Sequence, residues 1–299
     1  MQRVALRDPD LPPALAVVCH DAGACNLILP WLRRPGLHVR AVMQGPALAL
    51  WRARFGDAAL CSTLDQAMAG AQLVLTGTGW ASALEHDARV LAQHLKLRSA
   101  AVIDHWVNYP ERFVFKGQQQ WPDEFWLTDA EAVSLACQHF QQHQLRCYAN
   151  RYLHEQVSAI TPLRGGQGDV LLVMEPARSD WGRGVAGEWQ ALDFFMQHRP
   201  ALGLSLGVPL RLRPHPSDPP GKYKAWLLHH PEVVLDKHPR LAQAISPARW
   251  VVGCESAALV VALAAGREVW SSLPPWAPHC RLPHAGVRKL AEHALAVLA

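Results

Sequence analysis

Along the chain, short apolar runs alternate with longer stretches in which apolar and polar positions recur at helical spacing, the pattern of parallel α/β architecture. In the first half, the runs at 15–19, 38–43, 73–76, 100–103 and 124–127 are predicted strands, and 26–32, 46–54, 81–94 and 129–143 are predicted helices. The strands are almost continuously apolar, as strands covered by helices on both faces must be. At 163–168 the polar, glycine-rich sequence Leu-Arg-Gly-Gly-Gln-Gly breaks the rhythm and reads as a linker. The rhythm then resumes, with strands expected at 169–174, 210–212, 233–235, 250–252 and 268–270 and helices at 188–197, 223–229, 240–245, 256–265 and 287–298. The halves share a rhythm but no sequence repeat. The expectation is an α/β protein of two Rossmann-like domains, residues 1–163 and 169–299, facing each other across a cleft. Ligands of such sheets sit in the loops that follow the strands.

Composition supports this division. A length of 299 residues suits two units of roughly 150 each better than one. Half of the residues are hydrophobic and 18% are charged, enough apolar material for two cores and too much for disorder. The net charge of +4 is dispersed, apart from pairs such as Arg33-Arg34 and Arg288-Lys289, which argues against a nucleic-acid partner. A mild positive excess suits an anionic substrate or an anionic membrane face and does not choose between them. Seven cysteines, an odd number without a CxxC pair, read as reduced core residues. No leader pattern opens the sequence, and no apolar run approaches the ~20 residues of a membrane span. The expected location is therefore the cytoplasm, with peripheral contact at the inner membrane left open. Sixteen histidines occur without HExxH, HxxEH or Cys/His spacing, so no metal site is expected.

The strongest chemical signal is Arg213-Pro214-His215-Pro216 together with Gly253-Cys254-Glu255-Ser256. The first follows a predicted strand, and its two prolines fix the backbone around His215. The second lies between a strand and a helix, where unpaired amides and the helix dipole favour a phosphate. Ser256 either adds a hydroxyl donor or simply caps the helix. A Ser271-Ser272 pair ends the next strand.

These residues resemble the donor half of GT-B glycosyltransferases. They are most similar to bacterial enzymes that use CMP-activated acid sugars: sialyl- and polysialyltransferases, and transferases for 3-deoxy-octulosonate and other nonulosonates. The resemblance covers roughly residues 169–275. It implies that His215 helps the CMP leaving group depart, and that Arg213, Pro216, Gly253, Ser256, Ser271 and Ser272 surround the nucleotide. It also implies a metal-independent reaction with no resident cofactor, the CMP-sugar being the donor substrate and a glycan, lipid-linked or protein group the acceptor. The family motif usually carries two hydroxyl residues where this chain has Glu255-Ser256. Glu255 could instead hold ribose hydroxyls, which leaves the base of the nucleotide open.

The first half offers His20-Asp21-Ala22-Gly23-Ala24-Cys25-Asn26 after its first strand. Asp21 is the candidate base for the acceptor hydroxyl, or else a helix cap; His20 and Asn26 are candidate substrate contacts. A second cluster, Asp104-His105-Trp106-Val107-Asn108-Tyr109 with Arg112, suits a sugar's hydroxyls and apolar face. It equally suits a loop packed by Trp106 and Tyr109 with Asp104 and Arg112 paired. Thr78, in the turn 76–80, and Glu175, after the first strand of the second half, complete the candidates, and the loop 178–187 either closes over the donor or is a solvated loop. Two other readings stay open: a nucleotide-sugar epimerase or hydrolase of the UDP-GlcNAc 2-epimerase type, and a two-lobed binding protein without catalysis.

Overall fold

A computed structural model describes residues 6–79, 81–163, 167–176, 179–204 and 207–293. The chain divides into two compact units, Met1–Tyr152 and Leu153–Ala299. The division falls inside a helix, Arg151–Ser158. The segment that follows is tied to the second unit: Arg267 donates to Thr161 O (2.7 Å), and Thr161 N–H donates to Ser246 Oγ (3.1 Å).

The first unit runs β1 (Ala14–Cys19), α1 (Ala22–Trp31), β2 (His38–Met43), α2 (Gly45–Phe55), α3 (Leu64–Met68), β3 (Leu73–Thr76), α4 (Leu84–His94) and β4 (Ser99–Val102). A small hairpin follows, β5 (Val114–Phe115) with β6 (Gln118–Gln119), and then β7 (Glu124–Leu127), α5 (Ala130–His139) and β8 (Gln144–Cys147), and α6 (Arg151–Ser158) crosses the division. Six strands form one parallel sheet in the order β2-β1-β3-β4-β7-β8. Val17, Leu75 and Ala100 carry one face onto Trp31, Trp51 and Trp126, and Ala16, Val18 and Val74 carry the other onto Met68, Ala88 and Ala92. Both faces are thus covered, which is why the strands read as unbroken apolar runs.

The second unit runs β9 (Asp169–Val173), α7 (Gly187–His198), β10 (Leu210–Arg213), α8 (Lys224–His229), β11 (Val233–Leu235), α9 (Leu241–Ile245), β12 (Ala248–Gly253), α10 (Ala257–Ala264), β13 (Glu268–Ser271) and β14 (Val287–Lys289). Its parallel sheet has the order β11-β10-β9-β12-β13-β14, the Rossmann arrangement in which the first and fourth strands meet at the centre. The α/β class and the two Rossmann-like sheets agree with the sequence.

Several boundaries differ. The helix expected over 287–298 begins only at Leu290, because Val287–Lys289 pairs with β13 as an edge strand; residues 294–298 lie outside those described. The helix expected over 129–143 ends at His139, and the chain turns at Phe140 into β8. Phe140 is buried, stacked on Phe125 at 4.1 Å, so tertiary packing stops the helix. The helix expected from 26 starts four residues earlier, at Ala22, which places Asp21 at its N-cap. Residues 164–166 of the expected linker lie outside those described.

Candidate functional site

In open α/β sheets the strand order reverses at a switch point, and the loops there diverge to leave room for a ligand. In the second unit this point lies between β9 and β12. Gly253 ends β12, and a Cβ there would sit 2.8 Å from Val173 O, so only glycine lets the two strand ends approach this closely. Glu175, buried just beyond β9, spans the gap: Glu255 N–H donates to its carboxylate. The Glu255 carboxylate is held by the Arg281 guanidinium and by Arg281 N–H (3.1 Å). Ser256 accepts from Ala258 N–H (3.2 Å), so its hydroxyl caps α10. The Ser271 and Ser272 hydroxyls are buried and turn to the carbonyls of Cys254 (2.7 Å) and Gly253 (3.3 Å). The serine pair therefore braces the loop from below.

His215 follows β10 on a loop with a buried anchor. Asp218 accepts from His215 N–H (2.8 Å) and from Tyr223 Oη–H (3.0 Å). Lys222 Nζ bridges Asp218 (2.8 Å) and Glu188 (2.9 Å), the latter in the first turn of α7 and 1% exposed. Burial lowers the His215 pKa against the opposing pull of Asp218 and Glu175, which favours the neutral ring. Ser217 N–H approaches Nδ1 at 3.2 Å and Ser217 Oγ lies 2.7 Å from it. With Nδ1 accepting from that amide, the proton sits on Nε2, leaving a neutral N–H donor. Pro216 is exposed on the same loop.

Arg213, before the motif's first proline, is tied to the neighbouring strand end. Its guanidinium donates to Asp236 (2.6 Å) and to His238 O (2.7 Å). Asp236 also takes Arg211 at 2.6 Å and lies 2.6 Å from His238 Nδ1. Burial would raise the Asp236 pKa, but the hydrogen bonds from His238, Arg213 and Arg211 outweigh it and hold the carboxyl below its usual range. Arg213 thus locks the end of β10 to the loop after β11.

In the first unit the switch point lies between β1 and β3. Asp21 occupies the N-cap position of α1, yet its side chain makes no cap bond; it lies 2.6 Å from His20 Nδ1. A Cβ on Gly79 would collide with the Asp21 carboxylate, and one on Gly23 with that of Asp104. Gly45, with φ at +49°, leaves room for the His20 ring. Arg112 joins Asp104 (2.9 Å) to Thr78 Oγ1 (3.0 Å). The structure therefore gathers His20, Asp21, Thr78 and Asp104 around the ends of β1, β3 and β4, with Asp104 paired to Arg112. Tyr109 is not gathered there: it is buried, stacked on Phe140, with its hydroxyl near Ala132 O (3.4 Å). Burial beside Asp129 raises its pKa. Trp106 packs the same loop and donates to Asp129 (3.0 Å). Beside Trp106, His105 Nδ1 accepts its N–H (3.0 Å), and Asn108 takes a left-handed φ of +57°. Asn26 is half-buried on α1, and Trp80 lies outside the described residues.

The residues that sequence reasoning missed are the anchors. On α4, Glu85 is 0% and Arg89 2% exposed. Glu85 Oε1 accepts from His20 N–H (2.7 Å), and its second oxygen has no hydrogen-bond partner among the described residues. Arg89 donates to Gly77 O (3.3 Å), Thr76 Oγ1 (3.4 Å) and Gln120 O (3.1 Å). Burial raises the Glu85 pKa and pulls that of Arg89 down to about 10. Their signal was present: Glu85 and Arg89 share a helical stripe with Leu84, Ala88 and Ala92, which are all buried. In the second unit the missed anchors are Asp218, Lys222, Tyr223, Glu188 and Arg281.

Two units, each a Rossmann-like sheet with polar loops at a switch point, define the class of fold. No protein-family model matches the sequence, and no curated protein matches it. Among solved structures, the chain is similar to a protein from Listeria monocytogenes assigned as a UDP-N-acetylglucosamine 2-epimerase, with 12% identity, a TM-score of 0.60 and coverage of 95% of this chain and 88% of that one. It is also similar to UDP-GlcNAc 2-epimerase from Neisseria meningitidis, bound to UDP-GlcNAc, with 9% identity, a TM-score of 0.51 and coverage of 86% and 82%. The glycosyltransferase SnogD from Streptomyces nogalater matches with 10% identity, a TM-score of 0.49 and coverage of 96% and 99%. The fold is therefore the one found in the 2-epimerases. Among the described residues, no group of three or more His, Cys, Asp or Glu side chains is arranged to hold a metal ion, and no helix is long and apolar enough to cross a membrane.

Proposed function

We propose that the chain is an enzyme of nucleotide-activated sugars that breaks the bond between the anomeric carbon and a phosphate oxygen of the nucleotide. The observation that carries this reading is His215: an imidazole at a strand end, its backbone clamped by the buried Asp218 and its Nδ1 approached by the Ser217 amide, within electrostatic reach of Glu175 at the switch point. Nε2–H would donate to a phosphate oxygen and stabilise the charge that grows on the leaving nucleotide. The amides that open α10 and its dipole would add to this.

Within that chemistry we read a glycosyltransferase that moves an acidic sugar, a nonulosonate or 3-deoxy-octulosonate, from a CMP donor to a glycan, lipid-linked or protein acceptor. The Arg-Pro-His-Pro motif and the Glu255-Ser256 helix start support it. Asp21, oriented by His20, is the proposed base for the acceptor hydroxyl, and the freedom of its carboxylate from helix capping favours this role. A second reading, epimerisation of a UDP-sugar, is favoured by the likeness to the 2-epimerases. One experiment separates them. The protein is incubated with a panel of CMP-sugars, with and without acceptors, and with UDP-GlcNAc. Acceptor-dependent CMP release supports transfer, and a new UDP-sugar epimer or free UDP supports the second reading. No change in either nucleotide refutes both.

A further inference from the structure

Outside the proposed nucleotide site, the second unit carries a concavity of about 570 Å³ behind the His215 loop. Pro219, Pro220, Tyr223, Leu227, Leu228 and Leu235 form its apolar wall. Leu228, on α8, is 75% exposed and Leu235, on the edge strand β11, is 42% exposed. Isolated exposed leucines are ordinary, but two that share one apolar concavity, from a short helix and the neighbouring edge strand, mark an interaction surface.

The charges around it name the partner. Lys224 lies on the rim. Lys237 and Arg240 lie in the segment that follows β11. All three are exposed, and among the described residues none has a carboxylate partner. The acidic groups nearby are already engaged: Asp218 with Lys222, Asp236 with Arg211 and Arg213, and Glu232 with Arg199 (4.0 Å) and His230 (3.5 Å). A second copy docked on this patch by two-fold symmetry would bring the same cations face to face. An anionic lipid surface answers both features, offering phosphates to the cations and an acyl boundary to the leucines.

We propose that the α8–β11 face docks this protein on a bilayer containing anionic phospholipid, with Leu228 entering the acyl boundary and Lys224, Lys237 and Arg240 meeting the headgroups. This is independent of which sugar nucleotide the enzyme uses.

The test is co-sedimentation of the full chain with vesicles of phosphatidylcholine alone and of phosphatidylcholine mixed equally with phosphatidylglycerol. Strong partition to the anionic vesicles, weakened by salt, is expected. Lys224→Ala should lower that partition about fivefold, the worth of one cation near an anionic surface. Leu228→Glu should lower it at least about tenfold, by loss of apolar burial and by charge repulsion. Both residues are exposed and make none of the contacts that fix the His215 loop, so melting temperature and nucleotide binding should stay as in wild type. Absence of binding to anionic vesicles overturns the proposal. So does binding that both variants leave unchanged, or a wild-type dimer that Leu228→Glu dissociates.

Discussion

The two histidine-bearing loops are held by opposite electrical designs. Behind the His215 loop, Lys222 lies between two buried carboxylates, Asp218 and Glu188, and Tyr223 and the His215 amide take up the other Asp218 oxygen. Behind the His20–Asp21 loop, two buried charges on α4 each serve a different backbone: Glu85 the amide of His20, Arg89 the carbonyl of Gly77. The second unit thus uses a closed ion network, in which each charge is compensated by contact. The first uses charges compensated mainly by main-chain dipoles, and one carboxylate oxygen is left over. Buried ions are retained where they fix a conformation more than where they add stability. In both units, what they fix is the loop that carries a histidine.

The comparison can be broken most directly at Lys222. Lys222→Ala leaves the Asp218 and Glu188 carboxylates buried without their cation, and breaking a buried pair from one side costs about 3–5 kcal/mol. Denaturant unfolding should show a loss of that size, with weaker nucleotide binding in what remains folded. A loss below about 1 kcal/mol would mean that water enters the network and that it is not closed. Of similar size in activity is Asp21→Asn. It keeps shape but removes basicity, and should lower turnover by about 10²–10⁴ with nucleotide affinity nearly unchanged. Near-normal turnover would remove Asp21 from the chemistry, and a collapse in Asp104→Asn instead would move the base to the Arg112-paired carboxylate. A smaller effect is expected for His215→Ala. Losing one hydrogen bond to a charged phosphate, worth about 1.5–3 kcal/mol, should weaken binding or slow turnover by a factor of about ten or more. Wild-type behaviour would separate the clamped loop from the nucleotide.

How far these regions could be read from the sequence follows from how local their physics is. His215 was legible because two prolines and the apolar run before them are neighbours in the chain. Its anchor was not: Ser217-Asp218-Pro219-Pro220-Gly221-Lys222 reads as a solvated turn, and only the approach of Glu188 from α7 makes it a buried network. The resemblance implies that Arg213, Ser256, Ser271 and Ser272 surround the nucleotide, and nothing in the chain's local pattern tells that each is also bonded to the protein's own groups. Asp21 shows the reverse, since a position that invites a cap is occupied by a side chain that does not make one. Strand β14 was missed because an edge strand of Val287, Arg288 and Lys289, paired only to β13, carries no apolar run. Glu85 and Arg89 did leave a trace, as charges in a buried helical stripe, but their targets lie on two loops elsewhere in the chain.

The subtlest difference between the two designs is the sign of their pH dependence. Asp236, beneath β10 and β11, has a folded pKa below its unfolded value, so its contribution is present above the unfolded value and lost as pH falls through the folded one. Glu85 runs the other way. Burial raises its folded pKa above the ordinary 4.5, against the lowering effect of the His20 amide. Its contribution is therefore complete below the unfolded pKa and declines as pH rises through the folded one. Glu85→Gln keeps an oxygen to accept from His20 N–H and cannot ionise. In acid, where Glu85 is itself protonated in both states, the variant should melt close to wild type, within about 1 kcal/mol for a swap of one buried neutral group. Toward neutral pH it should gain on wild type, because wild type alone must then hold an anion with an unpartnered oxygen in the core. Glu85→Ala separates this charge effect from loop support: it removes the acceptor and should lose stability at every pH. Thermal melts of the three proteins from pH 4 to pH 8 decide the matter. Parallel curves for wild type and Glu85→Gln would show that Glu85 does not titrate in this range, and the contrast with the Asp236 network would then lie in packing, with charge playing no part.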